Sequence, residues 1–312
     1  MASDELAQRW VAAASLHPFA RFHHAQGFAE PFRSPTLAAA TRAAMAHRYA
    51  LLPALYTAGA QAMASGCPIA RPLWFGWPAA AAARAAAGAW LVGDALLVAP
   101  ALAPGVTSVD AWLPPGELHS VPGWERVEGK GAQASLPAPL GAPPPTLLLP
   151  GRILSLATGA PFNTTAAARG APLALAAALP PDGETPANLA CGRLCPPGTA
   201  CGDVYLDGGE DEPGAGKGRV LAVDVSGDRA TLTWPGAGPC DRVSWPSLTS
   251  FVLLGSRAAT VAGGAPRRGG AGRRAAAARV PGGVALTFDR GGIPLRCPDE
   301  VDIEWRSEEK AR

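Results

Sequence analysis

The sequence predicts a mainly β protein, with one long helical segment near its start and β-sandwich structure from there to its end. Apolar residues recur at helical spacing between residues 34 and 66, the period of an amphipathic helix. Beyond residue 66, short apolar runs alternate with proline–glycine turns, the rhythm of sandwich strands. No repeat period is evident. With 312 residues, 48% of them hydrophobic, the chain is long enough for two domains, or one large one, around a sizeable core.

Residues 1–35 read as a helix or loop followed by the end of a strand. The helical segment opens at Ser34, a capping residue, with Pro35 in the first helical position. Leu37, Thr41, Ala44, Met45, Arg48, Leu51, Leu52, Leu55, Tyr56, Gly59 and Met63 form its stripe, and Gly66 suits the stop. Pro53 lacks an amide hydrogen and should kink it. The strand candidates that follow are IARPLWFGW, AWLVGDALLVAPAL, SVDAWLP, TLLLPGRILSLA, LALAAAL, DVYLDGGED, RVLAVDVSG, RATLTW, SFVLLGS, GVALTF and DIEW. The alanine-rich runs at 79–87 and 263–283 carry too few large side chains for a core and read as exposed segments. The second holds Arg267, Arg268, Arg273, Arg274 and Arg279. With no aromatic residue interleaved, it reads as a solvated loop rather than a patch for an anionic partner.

A net charge of +2 gives no electrostatic case for nucleic acid or an anionic membrane. No uninterrupted apolar run approaches the roughly 20 residues of a bilayer span. The opening MASDELAQRW has acids where a signal peptide has a basic region, and no apolar run after them. The six cysteines are Cys67, Cys191, Cys195, Cys201, Cys240 and Cys297, three of them within CGRLCPPGTAC. The even count and the proline–glycine setting read as a disulfide-pinned loop in an oxidising compartment. Zinc is disfavoured, because no histidine lies nearby and the spacing is not two CxxC pairs.

Sequence motifs of nucleotide, hydrolase and metal sites fail one by one. In GEDEPGAGKGR, Asp211 stands where a phosphate loop has its first glycine, and Gly218 where it has the magnesium-binding hydroxyl. No GxSxG and no HExxH occurs. YLDGGEDE is acid-rich but lacks the ligand spacing of a calcium loop and reads as a solvated hairpin turn. Three of the five histidines crowd into HPFARFHH. His23 and His24 are adjacent and point to opposite faces of an extended chain, so they do not share one metal. His17 precedes Pro18, which biases it to extended geometry. From the residues alone, one of these histidines belongs to a pocket and two are incidental, and no metal is expected.

The stretch DELAQRWVAAASLHPFARFHH resembles a segment of glycoside hydrolase family 31, whose pattern there is E-L-x-x-R-W-x-Q-x-G-A-F-Y-P-F-x-R-N-H. Glu5, Leu6, Arg9, Trp10, Pro18, Phe19, Arg21 and His23 are kept. HRYALLPALYT and the RPL of IARPLW continue the likeness. GDALLVAPALAPGVTSVDAWLPPG is similar to the family's G-x-A-L-L-V-x-P-V-L and Y-L-P-x-G, and DVYLDGGED to its F-x-D-D-G-E hairpin. The resemblance runs in order along nearly the whole chain and is strongest before residue 115. The α-glucosidases of this family have an N-terminal β domain, a (β/α)8 catalytic barrel and two C-terminal β-sandwich domains. The resemblance therefore implies the C-terminal end of the barrel at 1–66, a proximal sandwich at 67–170 and a distal sandwich at 171–308. His23 matches the histidine that lines the subsite of the reacting sugar. It is expected to hydrogen-bond a glucose hydroxyl, since an imidazole offers one donor and one acceptor. Arg21 matches the arginine of the same element, expected to support the loop. Phe22 replaces an asparagine, and neither His17, at a tyrosine position, nor His24 receives a role.

Retaining glycosidases need two carboxyl groups about 5 Å apart, and in this family both sit on earlier barrel strands. Before Gly66 the chain offers only Asp4, Glu5 and Glu30, none at a catalytic motif, so no catalytic residue is assigned. The resemblance implies the C-terminal part of a retaining α-glucosidase acting on α-glucosides in carbohydrate metabolism, with Met1 an internal methionine. The alternative is a non-catalytic β-sandwich module that binds carbohydrate or a partner subunit. Replaced positions favour it: GELHS for G-x-W-Y-D, and LLPGRIL for L-R-G-G-x-I-I. No metal or organic cofactor is expected, because two carboxylates suffice for this chemistry. A leader further upstream would direct the protein to the secretory pathway, the lysosome or vacuole, or the exterior. Asn163-Thr164-Thr165 is a glycosylation sequon, an acceptor only in a secretory protein. Linkage preference, oligomeric state and the pairing of the six cysteines are not set by the sequence.

Overall fold

A computed structural model of the chain describes residues 3–23, 30–159, 161–181, 184, 186–187, 189, 192–209, 218–235, 246–255, 261–266, 275–288, 292–295 and 301–307. Its first element is helix α1 (Asp4–Ala14), capped by Ser3, whose side chain accepts a hydrogen bond from the Leu6 amide. Asp4 and Glu5 lie in its first turn, where carboxylates favour the helix dipole. From Ser15 to His23 the described chain is turn and coil; the strand end expected here is absent from the described residues.

The expected single kinked helix is two helices. Helix α2 (Pro35–Ala50) starts as read, with the Ser34 side chain accepting from the Leu37 amide at 3.2 Å. It stops at Leu51, whose φ of −92° and ψ of 1° leave helical geometry, and α3 (Leu52–Ser65) restarts there. Pro53 thereby sits in the first turn of α3. Mid-helix, it would remove a hydrogen bond and press its ring on the carbonyl four residues back; in a first turn it does neither. Gly66 ends α3 in the left-handed region at φ 76°, as read.

Every predicted strand run carries a strand. The first sheet has the order β1-β2-β3-β8-β5-β6. It is built of β1 (Ala70–Pro72), β2 (Trp90–Val92), β3 (Leu96–Val98), β8 (Thr146–Leu148), β5 (Gly116–Ser120) and β6 (Arg126–Gly129). A two-stranded ribbon, β4 (Ser108–Leu113) with β7 (Ala132–Pro137), covers one of its faces. A second sheet has the order β16-β17-β14-β10-β9, with β18 against β14. Its strands are β9 (Ile153–Ala157), β10 (Leu173–Ala178), β14 (Ser247–Leu254), β16 (Ala275–Val280), β17 (Gly283–Phe288) and β18 (Ile293–Pro294). The third sheet runs β11-β12-β13-β19-β15: β11 (Ala200–Leu206), β12 (Arg219–Ser226), β13 (Arg229–Thr233), β19 (Val301–Ser307) and β15 (Val261–Pro266). Short helices α4 (Ala81–Ala85) and α5 (Thr165–Arg169) complete the described elements.

The alanine-rich runs are corrected in part. Residues 81–85 form α4, with Ala83 buried, and the run at 263–283 contains β15 and β16 rather than a loop. Alanine offers little core, yet β16 needs little, because it is an outer strand whose ladder to β17 is made by backbone groups. Arg279 is exposed on β16; Arg267, Arg268, Arg273 and Arg274 lie outside the described residues.

The core explains why LALAAAL is apolar throughout. Along β10, Leu173, Leu175 and Ala177 face the third sheet, packing with Val204, Leu221, Val223 and Phe251. Ala174, Ala176 and Ala178 face the other way, towards Leu51 and Leu55 of the helices and Val92, Leu96 and Leu148 of the first sheet. A sheet buried on both faces loses the polar half of the strand alternation. Helix α3 is also tied to the third sheet. The Tyr56 hydroxyl donates to Asp207 at 2.6 Å, and the Tyr205 amide donates to Thr57 Oγ1 at 2.9 Å. Thr57→Val keeps the shape and removes the acceptor of a buried N–H, so unfolding by urea should show a loss of about 1–3 kcal/mol. An unchanged midpoint would remove this bond from the account of how helix and sheet are joined.

Candidate functional site

The segment with the three histidines has a pinned root, and its described residues beyond the root are exposed. Leu16 is fully buried beside Leu51 and Leu55. Arg48, on α2, donates Nη1 to the carbonyls of Ser15 and His17 at 2.6 and 2.7 Å and Nη2 to that of Pro18 at 3.2 Å. One guanidinium thus satisfies three turn carbonyls, a task its planar fork suits. His17 stacks on Trp90 with ring centroids 4.5 Å apart and planes 15° apart. Burial, then the nearby Arg48 charge, lowers its pKa and favours the neutral ring. Beyond this anchor Phe19, Arg21, Phe22 and His23 are all exposed. His24 lies outside the described residues.

His17 is therefore a packing residue of the loop root rather than an incidental one. Arg48 carried a signal that helical periodicity absorbed: it is a cation within an otherwise apolar stripe. Next to the His17–Trp90 stack lies an open cavity of about 360 Å³, lined also by Arg71, Trp74 and Arg84. His47, one turn before α2 ends, donates from Nε2 to Thr146 Oγ1 at 3.1 Å, because the Thr146 hydroxyl itself donates to the Pro144 carbonyl. Burial lowers the His47 pKa to about 4, so it works as a neutral clamp between helix and first sheet.

The acids are engaged elsewhere. Asp4 accepts from Thr36 and pairs with Arg33 at 3.3 Å; hydrogen bonding, first from Ser34, lowers its pKa. Glu5 accepts from the Gly105 amide and from Arg9, and these bonds lower its pKa too. Asp203 and Asp224 come together on β11 and β12, and burial raises the Asp203 pKa. Both are held by Arg193, whose Nη1 lies 3.4 Å from Asp203 and Nη2 2.7 Å from Asp224, so the space between them is filled by a cation. In the replaced GELHS stretch, Glu117 contacts buried His119 at 3.2 Å and Arg126 at 2.9 Å. Burial raises the Glu117 pKa and lowers that of His119 to about 4.

Cys195 and Cys201 form a disulfide that closes the loop between them, and Cys67 is disulfide-bonded as well. Cys191, Cys240 and Cys297 lie outside the described residues. Among the described residues, no group of three or more histidine, cysteine or acidic side chains gathers at metal-binding distance, and no helix is long and apolar enough to cross a membrane.

Comparison with known proteins matches this order of elements. The model of the glycosyl hydrolases family 31 TIM-barrel domain matches residues 1–58, and that of the glycosyl hydrolase family 31 C-terminal domain matches residues 66–154. An alpha-glucosidase of Hordeum vulgare is 35% identical over 219 residues, 69% of this chain and 23% of that protein. The lysosomal alpha-glucosidase of Mus musculus is 32% identical over 254 residues, 74% of this chain and 24% of that protein. The chain thus spans about a quarter of the length of the curated relatives it matches. The crystal structure of a glucosidase II alpha subunit, bound to Glc1Man2, superposes with a TM-score of 0.79 at 20% identity, over 97% of this chain and 33% of that one.

Proposed function

Because the chain belongs to glycoside hydrolase family 31, we propose that it forms the C-terminal part of a retaining α-glucosidase acting on α-glucosides, with the carboxylate pair supplied by residues this chain does not contain. The observation that carries the reading is the consecutive match of a barrel model and a C-terminal-domain model, in that order, to one stretch of chain. Physical support comes from exposed apolar side chains among the described residues before α2. Trp10, Phe19 and Phe32 are 66, 76 and 69% exposed, large apolar side chains of the kind that contact with further protein covers. In this reading residues 1–66 end the barrel, 67–170 form the proximal sandwich and 171–308 the distal one. Strand β9, which pairs with β10, joins the later sheet from before the border at 170.

His23 would hydrogen-bond a hydroxyl of the reacting sugar and Arg21 would support the element that carries it. The pinned root supports this assignment, because Arg48 and the His17–Trp90 stack hold the chain that leads to Arg21 and His23. In the complete enzyme, His23→Ala should lower kcat/KM by about 1–3 kcal/mol of transition-state binding, the cost of one polar partner left unpaired. Unchanged kinetics would remove His23 from the subsite. The larger reading is tested by immunoblot of source extract with an antibody to residues 171–308. A band far above the mass of 312 residues supports the glucosidase; a band at that mass replaces it with a non-catalytic module.

A further inference from the structure

We propose that Asn163 carries an N-linked glycan in the native protein. The chain has two asparagines, and only Asn163, followed by Thr164 and Thr165, lies in an N-x-S/T sequon; Asn188 is followed by Leu189 and Ala190. A sequon is common by chance, so its placement decides. Asn163 lies in the connection from β9 to β10, and Asn163, Thr164 and Thr165 are all exposed. Among the described residues no hydrogen bond holds its carboxamide. Thr164 has the separate task of capping α5, its side chain accepting from the Ala167 amide at 3.1 Å. The cap has extended geometry, φ −143° and ψ 156°, so the chain enters the helix from outside and Asn163 precedes it on the surface. A bulky, hydrated group at this position displaces no packed side chain and breaks no cap.

A second observation points to the compartment. The Cys195–Cys201 disulfide, with Cys67 also disulfide-bonded, fits the oxidising lumen through which secreted and organellar hydrolases pass. Glycan transfer takes place in that lumen. There the Asn163 amide nitrogen displaces a lipid pyrophosphate from C1 of a lipid-linked oligosaccharide. The N–C1 bond forms, the C1–O bond breaks with its electron pair leaving on the pyrophosphate, and the amide nitrogen gives up one proton. No oxidant or reductant is needed. The proposal is independent of the glucosidase reading, since a non-catalytic secretory module would be modified equally.

The test is direct because Arg152 and Arg169 frame the site: trypsin releases residues 153–169 as one peptide. From the native protein, that peptide should appear only after treatment with peptide N-glycanase, and then with aspartate at position 163. Recovery of the peptide in full yield with unmodified Asn163 overturns the proposal. In a eukaryotic secretory host, the full chain should show a glycanase-sensitive mobility shift that N163Q and T165A both abolish. T165S, which keeps the sequon, should retain it. A wild-type chain without the shift, or a shift that survives in T165A, also overturns the assignment.

Discussion

Purified 1–312 should release no glucose from maltose and no phenol from an aryl α-glucoside beyond the buffer rate. The effect is as large as an enzyme effect can be, because a glycosidase supplies at least about 10⁶-fold acceleration and two carboxyl groups supply most of it. Asp4 and Glu5, the first acids of the chain, have lowered pKa values and hydrogen-bonding partners of their own. Both shifts favour the ionised carboxylate over the protonated form a general acid must hold. Burial raises the Asp203 pKa, yet Arg193 pairs with both Asp203 and Asp224. The pair is neutralised by a cation, which a nucleophile and a proton donor would have to do without. The assay is glucose release at a range of pH values with purified chain. Turnover that scales with protein concentration and disappears on D203N and D224N would overturn this account and place the chemistry in the third sheet.

The fold was legible where pattern and packing agree. SFVLLGS and LALAAAL are strands because their runs are apolar and both faces of the second sheet are covered. Strands β5, β6 and β7 were missed. Gly116–Ser120 places Glu117 and His119 among its buried residues, so its sequence reads as polar. Ala275–Val280 was missed for the opposite reason: with exposed alanines it has no side-chain pattern, and only its backbone ladder makes it a strand. Pro53 was read as a kink because the sequence shows where a helix is interrupted and not whether it restarts. At the candidate site, resemblance singled out Arg21 and His23, but the anchors were hidden. Arg48 acts across more than thirty residues on carbonyls that no side-chain pattern reports, and His17 acts through a tryptophan from a later strand.

Arg152→Ala should cost about 3–5 kcal/mol, the price of removing one partner from a buried charged network. Arg152 is 2% exposed and stands just before β9. Its Nη2 donates to the Ala187 carbonyl at 2.6 Å, and its Nη1 to the Arg193 carbonyl at 2.7 Å and to Asp94 at 3.4 Å. Asp94 lies between β2 and β3, so one side chain joins the first sheet, the second sheet and the segment that leads into the Cys195–Cys201 disulfide. Burial lowers the Arg152 pKa, while the Asp94 charge opposes that shift. Alanine leaves the Arg193 carbonyl without this donor, while Asp94 keeps the Arg193 amide at 3.4 Å and the Ala187 carbonyl keeps the Leu189 amide at 3.0 Å. Arg152→Met separates the causes, since it keeps most of the volume and removes every hydrogen bond. If the network carries the stability, both variants should lower the urea midpoint alike at constant m-value. If packing of the long side chain carries it, methionine should recover most of the loss. Asp94→Asn in the Arg152→Met background should then cost less than in the wild type, because the charge it removes no longer has a partner. Equal costs in the two backgrounds would show that Asp94 and Arg152 are neighbours without being coupled.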